Sequence, residues 1–173
     1  MCFAQTFDAI EPALARFREL RALPAAPSVL ALRRERHGEL SVWGVFEGAR
    51  AQVDTVCNAL RLTKIEETPS LHLTRDKEEE LVDGVVPPSA LPKLLAAMPV
   101  GTPWQVFGTG QVHVVGTPAA SDACLSTLAM LAGCGEIRLG APARRGKSTP
   151  LDPGAAQLER DLRHALDPES RLQ

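Results

Sequence analysis

The sequence lacks any run of about 18 consecutive apolar residues, the length that a helix needs to cross a membrane. Of its 173 residues, 45% are hydrophobic and 23% are charged, a balance typical of a globular domain. Residues 1–5 show no basic region followed by an apolar core, so we expect no secretion signal. The formal net charge is only −2, which gives no electrostatic case for nucleic-acid binding. We therefore predict a cytoplasmic protein that has no transmembrane segment and binds no nucleic acid.

A cysteine framework is also missing. The four cysteines, Cys2, Cys57, Cys124 and Cys134, form no C-x-x-C pair and have no regular spacing. Cys57 and Cys124 fall on apolar faces of predicted helices, where a free thiol behaves as a small hydrophobe. This pattern indicates a reduced, cytoplasmic environment.

The sequence does contain one order of elements twice: strand, helix, hairpin, helix, strand. Alternating apolar residues predict the strands, and apolar residues at i, i+3, i+4 and i+7 predict the helices. The strands are predicted at 2–5, 28–34, 39–46 and 71–74 in the first copy, and at 82–86, 104–107, 111–115 and 136–140 in the second. This order is that of the βαββαβ, ferredoxin-like arrangement. The predicted fold class is α+β, with two ferredoxin-like units forming antiparallel sheet that is covered by helices, plus a C-terminal helical arm.

The predicted units are 1–75 and 76–141, followed by a basic loop and C-terminal helix at 142–173, all in one structural domain. Their sheets either pair edge to edge or pack against each other, since both arrangements protect exposed edges. The charged run Arg75–Glu80 is interpreted as a solvated connection and Ala143–Pro150 as an exposed basic turn. From Gly154 onward, leucines at four-residue steps predict the helical arm.

Polar residues mark the expected helix starts. Asp8 and Glu11 have the spacing of a capping box, in which each side chain satisfies a free amide of the first turn. Ser89 and Ser121 precede apolar helical patterns and are predicted to act as N-caps.

The best functional candidate is the hairpin predicted over 104–115. Gly108 and Gly110 flank Thr109 in its turn, where glycine permits positive φ and close approach of a ligand. Gln111 and His113 then share one face of the second strand. This polar pair indicates a binding site, although a hairpin with one solvated face gives the same pattern. The remaining histidines, His37, His72 and His164, show no metal-ligand spacing.

Three segments resemble one known family when taken in order. They are Phe7-Asp-Ala-Ile-Glu-Pro-Ala-Leu through Leu23-Pro-Ala-Ala-Pro-Ser28, Leu40-Ser-Val-Trp-Gly-Val-Phe-Glu-Gly48, and Leu158-Glu-Arg-Asp-Leu-Arg-His-Ala-Leu-Asp-Pro168. Their order is similar to that of the C-terminal, substrate-side domain of FAD-linked oxidases of the vanillyl-alcohol-oxidase type, and closest to the glycolate oxidase subunits. The likeness covers nearly the whole chain and rests on the order of the segments, because each motif is weak alone.

The resemblance gives the hairpin a specific meaning. Members of this family often carry His-x-Gly-Asp-Gly-Asn-Leu-His beside the flavin ring. Gly108, Gly110 and His113 match that motif, and Gln111 stands for its asparagine. The resemblance thus implies a catalytic or carboxylate-binding His113, substrate contacts from Gln111 and Thr109, and cofactor contacts from Gly108 and Gly110. Val106 replaces the first histidine and Thr109 the aspartate, so no metal is expected, because one imidazole alone makes a poor site.

The resemblance implies a component of an FAD-dependent oxidoreductase for a small 2-hydroxy acid. The family binds FAD through a separate glycine-rich domain, which we do not find in this sequence. We therefore expect FAD to be held mainly by an absent domain or partner subunit, with little or no binding or activity by this chain alone. The sequence fits either a functional subunit or a truncated gene product. The alternative is a non-catalytic ferredoxin-like module for ligand binding or assembly, since this fold hosts many unrelated functions.

Overall fold

The computed structural model describes residues 1–149 and Gln157, with eight strands and four α-helices among them. The first half contains β1 (Cys2–Phe7), α1 (Ile10–Arg21), β2 (Val29–Arg34), β3 (Leu40–Val45), α2 (Arg50–Ala59) and β4 (Lys64–Ile65). The second half contains β5 (Glu80–Val85), α3 (Leu91–Ala97), β6 (Trp104–Phe107), β7 (Gln111–Gly116), α4 (Pro118–Met130) and β8 (Cys134–Leu139), followed by a 3₁₀ turn at Pro142–Arg144. None of these helices is long and apolar enough to span a membrane.

The strands form one open antiparallel sheet in the order β4-β1-β3-β2-β6-β7-β5-β8. The predicted α+β class with antiparallel sheet is therefore confirmed. In the first half, β4, β1, β3 and β2 are neighbours in that order. In the second half, the corresponding strands β8, β5, β7 and β6 are neighbours in the same order, which runs in the opposite direction along the sheet. The halves meet edge to edge, where β2 pairs with β6. Each half thus covers an edge strand of the other, one of the two arrangements expected from the sequence.

The four helices of residues 1–149 all lie on the same face of this sheet. Alternate strand residues such as Leu32, Val42, Val106 and Val114 are buried with the apolar faces of the helices in one core. The intervening residues point to the opposite face, which we call the open face. Residues 66–79 cross part of it, and Arg33 Nη1 there donates to the Ser70 carbonyl at 2.9 Å.

The strand predicted at 71–74 is wrong. The fourth strand is instead the two-residue β4, whose Ile65 and Lys64 pair with the start of β1. Leu71 leaves the sheet plane, and its carbonyl accepts from Gln105 Nε2 at 3.3 Å. Leu71 and Leu73 have the alternation of a strand, but they lie in the irregular segment between β4 and β5.

The helix caps predicted at Asp8 and Ser89 are also wrong. The N-cap of α1 is Ala9 and makes no side-chain hydrogen bond, so Asp8 does not form the expected capping box. The N-cap of α3 is Ala90, again without a side-chain hydrogen bond. Both helices therefore begin one residue later than their polar residues indicate.

The cap predicted at Ser121 is wrong in the opposite direction. The N-cap of α4 is Thr117, whose hydroxyl accepts from the Ala120 amide. Ser121 is consequently buried inside the helix, because Pro118 is favoured in the first turn and starts the helix earlier.

The charged runs are not fully solvated, contrary to the interpretation from the sequence. Glu80 is buried in β5, and Arg144 binds its carboxylate through Nε at 2.5 Å and Nη2 at 3.0 Å. Arg144 Nη2 and Lys147 Nζ each lie 2.8 Å from Asp122 Oδ1. The Arg144–Glu80 ion pair thus joins the two runs, and Asp122 joins the second run to α4. The predicted helical arm from Gly154 onward lies outside the described residues.

Candidate functional site

The predicted hairpin forms, and the conformation of its turn requires glycine at one of the two glycine positions. Gly110 has φ of +93°, and a Cβ placed on it would lie 2.7 Å from the carbonyl oxygen of Val86. The chain itself therefore requires glycine at this position. A Cβ on Gly108 would make only ordinary contact with Leu30, at 3.5 Å, so packing leaves room there for a side chain.

Gln111 and His113 lie side by side on the open face and share a third polar residue, Asp83. Gln111 Nε2 donates to Asp83 Oδ1 at 3.2 Å and lies 3.1 Å from His113 Nε2. Asp83 stands directly opposite His113 on β5, with 3.6 Å between Oδ1 and Nε2. The carboxylate selects the amide orientation of Gln111, because the amide oxygen would be repelled at that position.

This arrangement determines the protonation of His113. The Gln111 amide nitrogen can only donate, so His113 Nε2 accepts and the network assigns the proton to Nδ1. Burial lowers the pKa of His113 from 6.5, and nearby His72 lowers it further, whereas Asp83 opposes this shift. The ring of Phe107 meets the imidazole edge-on, with the centroids 5.2 Å apart. The hydrogen bond from Gln111 and the burial of the ring together favour a neutral imidazole with its proton on Nδ1.

His113 belongs to a row of polar side chains that crosses the open face. One residue from each of six neighbouring strands stands in register: Ser41, Arg33, Gln105, His113, Asp83 and Glu136. Gln105 is fully buried beneath 66–79, and its Oε1 atom has no hydrogen-bond partner in the described part of the chain. The row makes the centre of the open face polar, in contrast to the core on the other face.

At the turn end of the hairpin this face opens into a pocket of about 510 Å³. Four predicted site residues line it together: Gly108, Thr109, Gln111 and His113. The end of α1, the α1–β2 connection and the start of β2 form one part of its remaining walls. The other part consists of Phe107 in the hairpin and of Leu71 and His72 in the segment that crosses the open face. Gly110 lies on a smaller adjoining cleft of about 50 Å³. The structure thus brings the predicted residues to one site, apart from Gly110.

Three residues near this site were not identified as functional candidates from the sequence. Asp83 orients the Gln111–His113 pair, and its signal was a carboxylate that interrupts the apolar alternation of β5. Arg21 and His72 both line the pocket, but each lies far from the hairpin in sequence. No local pattern could have placed them there.

The residues present do not form a metal centre in the described ranges, where no three His, Cys, Asp or Glu side chains cluster suitably. Val106, at the position of the first histidine in the motif that the hairpin resembles, is buried in the helix-side core. Because strand side chains alternate, a histidine at 106 would point away from His113 in this sheet.

A flavin fits only part of the site. The pocket offers mostly apolar walls and a few polar groups, a composition common to small-molecule and cofactor pockets. A dinucleotide's phosphates usually bind where a glycine-rich turn opens a helix N-terminus. The turn at 108–110 leads into β7 instead, so it does not present such an end to a diphosphate.

Comparison of the chain with protein-family models, curated proteins and solved structures gave no match. The functional conclusion accordingly depends on the geometry of the pocket, on Gln111 and His113, and on the resemblance of the hairpin motif.

Proposed function

We propose that the chain is the substrate-side domain or subunit of an FAD-dependent oxidoreductase that acts on a 2-hydroxy acid. We also propose that each half of the sheet is a ferredoxin-like unit. The strand order is β4-β1-β3-β2 in the first half and the equivalent β8-β5-β7-β6 in the second. The observation that carries the function is the shared position of Gly108, Thr109, Gln111 and His113 on one pocket of the open face.

His113 would act as an oriented hydrogen-bond donor. Its Nε2 atom is already engaged by Gln111, so Nδ1–H is the group available to a substrate carboxylate or hydroxyl oxygen. Gln111 would be a positioning residue, because it holds the imidazole through the bridge to Asp83. The Thr109 side chain is exposed at the mouth of the pocket, where its hydroxyl could contact the substrate.

The cofactor would be FAD held mainly by a partner domain or subunit. When bound, FAD would supply a two-electron acceptor for the hydride on the hydroxyl-bearing carbon of the substrate, and the hydroxyl proton would pass to water. Gly108 would contact the cofactor, since it lines the pocket beside Thr109. Leu71 lines the pocket, and Val85 on β5 pairs with Gln111. Each is 48% exposed, and together they would offer apolar surface to the partner.

The test is to purify the tagged full-length chain from its native cells and record its visible absorption spectrum. We expect an oxidised-flavin band from a co-purifying partner, and we expect Val85→Lys to remove most of it. Met130→Lys is the matched control, because Met130 is 78% exposed at the end of α4 and lies outside the pocket. Wild-type protein that carries no flavin, or a flavin content unchanged by Val85→Lys, would contradict the proposal.

A non-catalytic ligand-binding module is the second candidate. It is favoured by a specific observation: this chain alone supplies the walls of the pocket described here. That alternative predicts that the chain from the same native purification carries no flavin-bearing partner.

A further inference from the structure

The described lining of the pocket contains one cationic side chain and no carboxylate. Its described lining contains Arg21, His72 and His113, and it contains neither aspartate nor glutamate. Asp83, which lies 3.6 Å from His113 Nε2, is engaged by Gln111 and lies outside this lining. An anion entering the pocket therefore meets a cation and two imidazoles without a competing carboxylate on the wall.

Arg21 is available to such an anion. It lies in the last turn of α1 and is exposed, and no carboxylate pairs with it among residues 1–149. By contrast, Arg16 on the same helix is committed to Glu19 and Gln5. A guanidinium binds a carboxylate through two parallel hydrogen bonds, so a single arginine suffices for a directed contact.

The rest of the pocket is much larger and more apolar than a carboxylate requires. Its apolar walls are Pro27, Val29, Leu30, Leu71 and Phe107, and its volume is about 510 Å³. Pockets of roughly 300–1,000 Å³ hold ligands of drug size. A two-carbon hydroxy acid would leave most of these walls in contact with water.

We infer that the ligand is a 2-hydroxy acid with an aromatic or branched apolar body, and that Arg21 binds its carboxylate. The apolar body would pack against Leu71 and Phe107, and His113 Nδ1–H would donate to the hydroxyl oxygen. This inference rests on the proposed function for the 2-hydroxy group, and it adds the size class of the substrate and an anion-binding residue.

Isothermal titration of the purified full-length chain tests it with three probes: mandelate, glycolate and benzyl alcohol. We expect mandelate to bind about tenfold or more tightly than glycolate, because only mandelate fills the apolar walls. Benzyl alcohol has the apolar body without the carboxylate, and we expect it also to bind at least about tenfold more weakly than mandelate. Equal affinities for mandelate and glycolate, or no mandelate binding, would overturn the inference.

Arg21→Gln should weaken mandelate binding about tenfold or more and leave benzyl alcohol unaffected. Arg18→Gln is the matched control, because Arg18 lies in the same last turn but lines only the small adjoining cleft. It should change mandelate affinity less than about twofold, and circular dichroism should show both variants folded. An equal effect of the two substitutions would overturn the role of Arg21. Flavin content in the native purification is measured separately, so failure of the proposed function is distinguishable from failure of this inference.

Discussion

Replacing Gly110 with alanine should distort the hairpin turn that positions the candidate site. At φ of +93° an L-residue is strained, which costs on the order of 1–3 kcal/mol. The added Cβ would also lie 2.7 Å from the backbone oxygen of Val86, which cannot swing away as a flexible side chain could. Val86 directly follows β5 and is bonded to the turn, because its amide donates to the Gly110 oxygen at 3.0 Å.

Gly38→Ala separates the two effects. Gly38 has φ of +95° in the β2–β3 hairpin, but a Cβ on it meets nothing within 4 Å. Both substitutions therefore carry similar backbone strain, and only Gly110→Ala adds the steric contact. We expect Gly110→Ala to reduce the free energy of unfolding by about 1–2 kcal/mol more than Gly38→Ala, in the range measured for overpacking.

Urea denaturation followed by circular dichroism gives both free energies of unfolding. The imidazole signals of His113 in proton NMR give the local effect, which should appear in Gly110→Ala and be absent in Gly38→Ala. Equal destabilisation by the two substitutions would refute the steric argument. Glycine at 110 would then need another explanation, such as close approach of a ligand.

Three further outcomes follow from the charged groups. Arg144→Met should leave the buried carboxylate of Glu80 unpaired. We therefore expect it to lower the melting temperature by several degrees more than the surface control Arg145→Met does. Equal shifts of the two melting temperatures in a thermal scan would contradict this role of Arg144. Hydrogen bonds from its two basic partners lower the pKa of Asp122 from 3.8 to about 2, so its stabilising contribution is present above pH 3.8 and lost as the pH falls towards 2. Asp122→Asn should flatten that part of a stability-against-pH curve, and an unchanged slope would count against the ion pairs. Burial lowers the pKa of His113, so its NMR titration midpoint should lie below 6.5. Acidification below pH 6.5 should then lower the free energy of unfolding, because the unfolded chain binds that proton more readily than the folded chain. A midpoint above 6.5 would contradict the desolvation of the imidazole.

Local patterns predicted most of the fold because each element carries its own period. The helix α3 buries Leu91, Leu94 and Leu95, as the i, i+3, i+4 spacing indicates. The hairpin was predictable because strand alternation and a glycine turn lie within twelve consecutive residues. The same locality explains why the sequence alone pairs Gln111 with His113.

The errors arose where a partner lies far along the chain. Glu80 resembles the end of a charged, solvated run, but Arg144 makes it a buried strand residue. Leu71 resembles part of a strand, but it covers the sheet beside Gln105 rather than joining an edge. Arg21 joins the pocket only because the end of α1 lies beside the turn of the hairpin. Tertiary contacts of this kind override local propensity and leave no local signal.

The central claim is that the pocket beside His113 serves a flavin-dependent oxidation of a 2-hydroxy acid. The most direct measurement is anaerobic flavin reduction in the natively purified complex after mandelate is added. We expect the oxidised-flavin band to bleach with wild-type protein and to bleach much more slowly with His113→Leu. The exposed-turn variant His37→Leu should behave as wild type. A flavin that stays oxidised in the wild-type complex with both mandelate and glycolate, or one that bleaches equally fast in His113→Leu, would contradict the account.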